Sequence, residues 1–404
     1  MHRDSTVDFI QDSLYNPDAG YFSGGPSVGS PPTPIDFASL GNEIAYFNHV
    51  QALYASLQVS WLTPVEIFQP HYGAAIGRFV AERWQRLGSP GPLHIFEIGG
   101  GTGTLAQNVL DTLRAEYPKL YASARYRIVE ISARLAAAQQ ARLHADPDHA
   151  ARFRVDRRDA AAPWASGPVH EPPCFVLAME VLDNLPHDKV VWRGGAWRQA
   201  RVDTKEDEPG KVVATECIDD DAPITDPLTR RLLAETEGLA GYAPPSGNFL
   251  ARMLHPRASS REMFLPTGAL RLFDALHRAL PRHALLAADF DELPEVVIPG
   301  RNAPLVASTR RGATVDHNTY LVPRGSADIF FPTDFALAAR AHAAAGAAGA
   351  GGHHGSWCKT ADFMRRWAAP GSTRTRAGYD PLLLDYSNTS FLLAGDPALC
   401  AEAL

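Results

Sequence analysis

The chain contains no run of about 18 apolar residues, which excludes a helix able to span a bilayer. It is poor in cysteine. The four it has, Cys174, Cys217, Cys358 and Cys400, are widely separated. That spacing excludes a disulfide framework and a close-set zinc signature, and reads as free thiols in a reducing compartment. A basic bias is also missing: 38 Lys and Arg stand against 45 Asp and Glu, a formal charge of −7. Nucleic-acid binding over the whole surface is therefore not expected, and a basic partner is. The opening residues, Met1 to Asp8, resemble neither a secretory signal nor an Arg-rich, acid-poor transit peptide. With 45% hydrophobic and 21% charged residues, the remaining reading is an ordinary globular protein.

Residues 93–180 alternate short apolar runs with helical patterns. Leu93–Ile98, Arg127–Ile131, Phe153–Asp156 and Cys174–Ala178 read as strands. Leu105, Val109, Leu110 and Leu113 line one helical face between the first two, and Ala133–Leu143 reads as a second helix. Strands alternating with helices predict an α/β fold with a parallel sheet wrapped by helices. Lys189–Trp192 and Trp197–Val202, joined by Arg193-Gly194-Gly195-Ala196, predict a β-hairpin. Asp203–Asp226 reads as an acidic surface loop with at most one strand, and Ala243–Ser260 as a second irregular stretch. Gly268–Leu280 predicts a helix and Ala284–Phe290 a buried strand. Ala336–Gly352 predicts a helix running into a Gly-rich loop. These patterns divide the chain into an N-terminal helical segment and lid (1–90), a core (91–335) with hairpin and loop insertions (about 187–265), and a C-terminal helical and strand extension completing the core (336–404).

The sharpest local signal is His94-Ile95-Phe96-Glu97-Ile98-Gly99-Gly100-Gly101-Thr102-Gly103-Thr104-Leu105. Glycines let the backbone turn tightly and let a ligand approach it, and the helix that follows offers unpaired N–H groups. A dinucleotide turn, G-x-G-x-x-G/A, is met loosely by Gly101–Ala106. An acidic residue, one apolar residue and then G-x-G-x-G, the turn of class I methyltransferases, is met fully by Glu97–Gly103. Charge separates the two, because a carboxylate repels a pyrophosphate and favours the ammonium and sulfonium of S-adenosylmethionine. A purely structural glycine turn is the third reading. Glu130, ending the second strand, can accept ribose hydroxyls, a device NAD sites share. Asp159, after the third strand, either accepts an adenine amino group or caps its own loop. Glu180 and Asp183 follow the fourth strand, where ligands of open α/β sheets bind.

Four segments, Leu14–Phe22, Phe96–Leu105, Val129–Leu143 and Leu177–Pro186, together resemble the MidA-like mitochondrial complex I assembly-factor family of class I S-adenosylmethionine-dependent methyltransferases. Pro323–Asp328, Asp334-Phe335 and Leu285–Phe290 add to the likeness. Tyr15-Asn16-Pro17-Asp18-Ala19-Gly20-Tyr21 is its most specific part. It reads as a turn, with Pro17 fixing φ and Gly20 free to take positive φ. The resemblance implies a Rossmann-like sheet with substrate-side insertions, S-adenosylmethionine as cofactor, and symmetric dimethylation of an arginine on a complex I core subunit in mitochondria. By position it implies that Glu97, Gly99, Gly101, Gly103 and Thr104 hold the methionine end, Glu130 the ribose and Asp159 the adenine, with Gly100 and Met179 also among the cofactor-binding residues. It also implies that Glu180 and Asp183 are catalytic. Gly100, Thr102 and Met179 stand where the family carries Pro, Arg and His, and Thr63-Pro64-Val65-Glu66-Ile67 replaces its Ser-Pro-Glu-Ile, so the chain resembles a diverged branch.

Two alternatives stand beside this: a non-catalytic assembly or interaction protein of the same fold, and an NAD(P)-dependent oxidoreductase, for which no paired Tyr/Lys constellation is visible. A homodimer is compatible with the sequence. His353-His354 with Cys358 lacks a fourth ligand at metal-site spacing, so no metal is expected. His317 reads as a satisfied loop histidine, and Trp61, Trp84, Trp192, Trp197 and Trp367 as core or interface.

Overall fold

In the computed structural model, which describes residues 2–23, 29–57, 59, 62–208, 211–219, 222–244, 262–310, 313–346, 355–402 and 404, the chain passes back and forth between two units. One comprises Pro26–Val181, Ala275–Asp289 and His353–Leu404. The other comprises Met1–Gly25, Leu182–Asp274 and Phe290–Gly352.

The first unit is built on seven strands: β1 (His94–Ile98), β2 (Arg125–Glu130), β3 (Phe153–Arg157), β4 (Cys174–Met179), β5 (His283–Phe290), β6 (Ser356–Lys359) and β7 (Thr389–Gly395). Their order is β3-β2-β1-β4-β5-β7-β6. β1 through β5 pair in parallel, and β6 runs antiparallel to β7. Every residue of β4 is buried, as a parallel strand covered on both faces requires. The predicted α/β fold is therefore present, and β6 and β7 lie in its sheet.

Helices α1 (His71–Arg86), α2 (Thr104–Glu116) and α3 (Ala133–His144) belong to the same unit. Two glycines let α1 approach α2. A Cβ on Gly73 would lie 2.5 Å from that of Asn108, and one on Gly77 3.2 Å from that of Thr112. Rings fill the core beside them: Phe79 meets Phe175 edge-on, and Phe363 stacks on Phe391 at 4.0 Å. Trp84 and Trp367 are buried here, as expected, whereas Trp61 lies outside the described residues.

The second unit is antiparallel. Asp188–Arg193 and Ala196–Glu208 form the predicted hairpin, with φ of +57° and +81° at Gly194 and Gly195. Two successive positive φ values match the strand twist of a tight hairpin. The expected loop over 203–226 is instead a continuation of this ribbon: Lys211–Ile218 pairs with Ala196–Glu208. The charge of this stretch suggested solvent, but the backbone continues the strand, in which Ala200 and Val202 are buried. His2–Ser5 adds a further strand, with Arg3 pairing to Asp203 at 2.6 Å. That pairing joins the first residues to a strand about two hundred positions later. The helix expected after 336 covers Phe335–Gly346, and the Gly-rich stretch 347–354 lies outside the described residues, as does most of 243–260. Among the described residues no helix is long and apolar enough to cross a membrane.

The Tyr15–Tyr21 motif follows the helix Thr6–Tyr15. Asn16 Oδ1 accepts the N–H groups of Asp18 at 3.0 Å and Ala19 at 3.2 Å, and Tyr15 stacks on Phe22 at 5.4 Å. Gly20 is not one of the positive-φ glycines. It is required because a Cβ there would sit 2.5 Å from Asn16 N. Gly325 closes the motif from a second segment of the family likeness: its N–H donates to Ser13 O at 3.1 Å, and its φ is +68°. A Cβ on it would lie 1.9 Å from Ala19 O. Gly325→Ala is therefore expected to cost about 2–4 kcal/mol, combining left-handed strain with overlap. Gly378→Ala, also at positive φ but facing open space, should cost only about 1–2 kcal/mol. Urea denaturation of both variants checks the difference.

Candidate functional site

The sheet order reverses at β1, which has β2 on one side and β4 on the other. Such switch points open a crevice at the carboxyl ends of the strands. The glycine turn leaves β1 there. Gly99, Gly101 and Gly103 have φ of +66°, +52° and +88°, a region that side chains disfavour. Gly99 N–H donates to Val129 O at 3.0 Å, and Gly103 N–H to Gly100 O at 2.8 Å. Gly100 serves packing, since a Cβ would meet Ile128 Cγ2 at 2.7 Å. A Cβ on Gly101 would meet nothing within 4 Å. The turn therefore presents bare backbone to open space at Gly101. Gly103 caps α2 with no side-chain hydrogen bond, leaving the first-turn amides for a ligand.

The same unit carries the strand-end acids. Glu97 is buried and accepts a 2.8 Å hydrogen bond from Tyr126 Oη. Burial pushes its pKa up to about 8, Glu130 and Glu66 push the same way, and Tyr126 opposes them. Glu130 is held at both oxygens, by Ser132 N–H at 2.8 Å and Gln139 Nε2 at 2.9 Å. Its pKa is also raised, chiefly by burial, with those bonds opposing. Gln139 Nε2 donates as well to Gly101 O at 2.9 Å, tying Glu130 to the turn. Asp159 Oδ1 accepts Ala161 N–H at 2.8 Å, so the self-capping geometry is present at that loop. Met179 is buried in the core at the end of β4.

Glu180 follows at φ +53°, one of three non-glycine residues at positive φ among the described residues. Its N–H donates to Ala288 O at 2.8 Å. Its carboxyl has no hydrogen-bond partner among the described residues, and its pKa is raised well above the ordinary value by burial, then by Asp289 and Glu66. Tyr54, Tyr72 and Tyr386 have hydroxyl pKa values pushed upward, mainly by burial and further by Glu180. A strained backbone holding an uncompensated acid is a feature of functional sites. Asp183 belongs to the other unit, where it is buried and its backbone carbonyl accepts Phe331 N–H at 2.8 Å. The structure thus gathers Glu97, Gly99–Gly103, Thr104, Glu130, Met179 and Glu180 in one unit and assigns Asp183 to the second.

Two residues were not read from the sequence as site residues. Glu66, 3% exposed, accepts the hydroxyls of Thr102 at 2.7 Å and Thr104 at 2.8 Å. Arg142 donates to Thr102 O at 3.0 Å and to Thr102 Oγ1 at 3.2 Å. Of the other clusters, His353-His354 lies outside the described residues, and His317 Nε2 is 2.9 Å from Ser308 Oγ, a satisfied histidine.

Comparison with known proteins gives a consistent set of likenesses. Residues 75–352 match the model of a family described as "Putative S-adenosyl-L-methionine-dependent methyltransferase". A relative from Drosophila melanogaster, the mitochondrial protein arginine methyltransferase NDUFAF7 homolog, is 31% identical over 153 residues. That alignment covers 35% of this chain and 34% of the relative, so the matched part spans about a third of the relative's length. The fold is similar to a crystal structure of a COG1565 superfamily member from Burkholderia thailandensis bound to S-adenosyl-homocysteine, with a TM-score of 0.65 and 19% identity, covering 100% of this chain and 89% of that one. A native structure of a COG1565 superfamily protein from the same organism gives a TM-score of 0.61 at 18% identity, with the same coverage.

Proposed function

We propose that this chain, which belongs to the S-adenosyl-L-methionine-dependent methyltransferase family whose model it matches, methylates an arginine of a protein substrate. The fly relative's name supports the arginine and a mitochondrial setting. The family resemblance extends the reading to symmetric dimethylation during assembly of respiratory complex I. The observation that carries the methyltransferase reading is the bare backbone at Gly101, open to a ligand at a helix N-terminus and bordered by buried acids.

S-adenosylmethionine, when bound, supplies a methyl group on a positively charged sulfur. The residues that fit it are those of the switch point. Gly101 leaves room for close approach, and the α2 N-terminus offers amides to a carboxylate. Glu130, fixed by Ser132 and Gln139, keeps lone pairs for a ribose diol. Glu97, in its charged form, would favour the ligand's cationic end. Glu180 is the acceptor-side residue. A carboxylate matches the fork of guanidinium donors, and a raised pKa suits its oxygen to receive the proton that the arginine nitrogen loses on methylation. Asp183 is the second candidate for that clamp. Alignment of the two reactants supplies most of the rate.

S-adenosyl-homocysteine should raise the melting temperature by mass action, and NADH should not. Gly101→Val should abolish that shift. Stabilisation by NADH alone would return the oxidoreductase reading. Glu180→Gln should retain calorimetric affinity for S-adenosyl-homocysteine and lose arginine methylation of the cognate protein, followed by mass spectrometry in cells with and without the variant. Full methylation would support a different clamp, and its absence even with the unaltered protein would favour the non-catalytic assembly reading. Glu97 adds a pH dependence. Its carboxyl is protonated below about 8 in the free protein, and a cation favours the charged form. Affinity for S-adenosylmethionine should therefore rise from about pH 6 to 7, on the acid side of the range near 7.7–8.0 where an α-amino group titrates. Glu97→Gln should flatten that rise in calorimetry.

A further inference from the structure

Glu66 arrives at the glycine turn from a helix, Pro64–Ile67, that precedes β1 in the chain. It meets two threonines at once: one oxygen takes the Thr102 hydroxyl, the other the Thr104 hydroxyl, and the two hydroxyl oxygens are 3.0 Å apart. Thr102 lies in the turn and Thr104 begins α2, so one side chain bridges loop and helix. On the other side of Thr102 stands Arg142, from α3. Its Nη2 reaches Thr102 Oγ1 at 3.2 Å and Ser30 Oγ at 3.0 Å, while its Nε holds Thr102 O at 3.0 Å. Chemistry sets the direction of every bond. Guanidinium only donates and carboxylate only accepts, so Thr102 must receive from Arg142 and give its proton to Glu66. Arg142 and Glu66 are joined through one hydroxyl, and the Glu66 end is buried, where such bonds are strong.

We propose that the chain Arg142–Thr102–Glu66–Thr104 is a latch that holds the glycine turn in its ligand-ready shape, with Glu66 and Arg142 as positioning residues that set cofactor affinity. Three left-handed residues in a five-residue turn need such bracing, because the unbound backbone has many other conformations to adopt. The latch acts on the turn's shape, and it rests on the cofactor reading above for its functional consequence. Two measurements separate the two claims.

The first uses the protein without ligand. Thr102→Val keeps the side chain's shape and removes its hydroxyl. It should speed hydrogen exchange at the amides of Gly100 to Gly103 by about tenfold, whereas Thr102→Ser should exchange like the unaltered protein. The second is calorimetric affinity for S-adenosyl-homocysteine. Thr102→Val, Glu66→Ala and Arg142→Met should each weaken binding about tenfold, equivalent to about 1.4 kcal/mol. Thr102→Ser should restore it to within about twofold, a rescue that general loss of packing would not produce. The double variant Glu66→Ala with Thr102→Val should bind no more weakly than the poorer single one, because both remove the same chain. Unchanged exchange and unchanged affinity in Thr102→Val would overturn the latch, as would additive losses in the double variant. Accelerated exchange in a protein whose unaltered form fails to bind S-adenosyl-homocysteine would keep the latch and remove the cofactor reading. If Glu66→Ala does not fold, the Val and Ser variants at Thr102 decide the matter alone.

Discussion

The site depends on a backbone constraint: a parallel strand must become a helix within five residues while exposing its own amides. Gly99, Gly101 and Gly103 achieve this with three positive φ values, and Gly100 contributes by having no Cβ to collide with Ile128. The glycines are therefore not equivalent. Conformation is required at three of them, absence of volume at the fourth, and only Gly101 combines left-handed geometry with unfilled space.

Around that turn the unit carries several desolvated acids, which is costly unless each is compensated. The compensation differs from one to the next. Glu66 has two hydroxyls, Glu97 a tyrosine, and Glu130 an amide and a backbone N–H. Glu180 has none of these among the described residues and sits on strained backbone. A gradient from fully satisfied to unsatisfied acids leads from the structural supports of the turn to the group with most to gain from a cationic visitor. S-adenosylmethionine, which carries a sulfonium, answers that electrostatic demand.

The local features were legible in the sequence. The apolar runs of β1 to β5, the glycine turn and the strand-end acids are each written in a few consecutive residues. What depended on distant partners was not. Glu66 finds Thr102 and Thr104 across 36 and 38 positions, and Arg142 finds Thr102 across 40. No local pattern marks those meetings. The ribbon after residue 203 was hidden by its charge, since a strand that carries several acids in succession reads locally like a solvated loop. Gly20 shows a subtler gap: the sequence indicated that glycine was needed, but the reason is space beside Asn16, not left-handed geometry. The pairing of His2–Ser5 with strand residues about two hundred positions later is likewise written in no local pattern.

The placement of β7 has a consequence for biogenesis. Residues 389–395 lie between β5 and β6, at the interior of the sheet, although they come late in the chain. During translation every segment of the antiparallel unit emerges before this strand does. The parallel sheet must wait with the flank of β5 uncovered, and an uncovered flank invites pairing with other chains. Shielding by a chaperone, or a pause-free run of codons through the final stretch, would matter most in that interval.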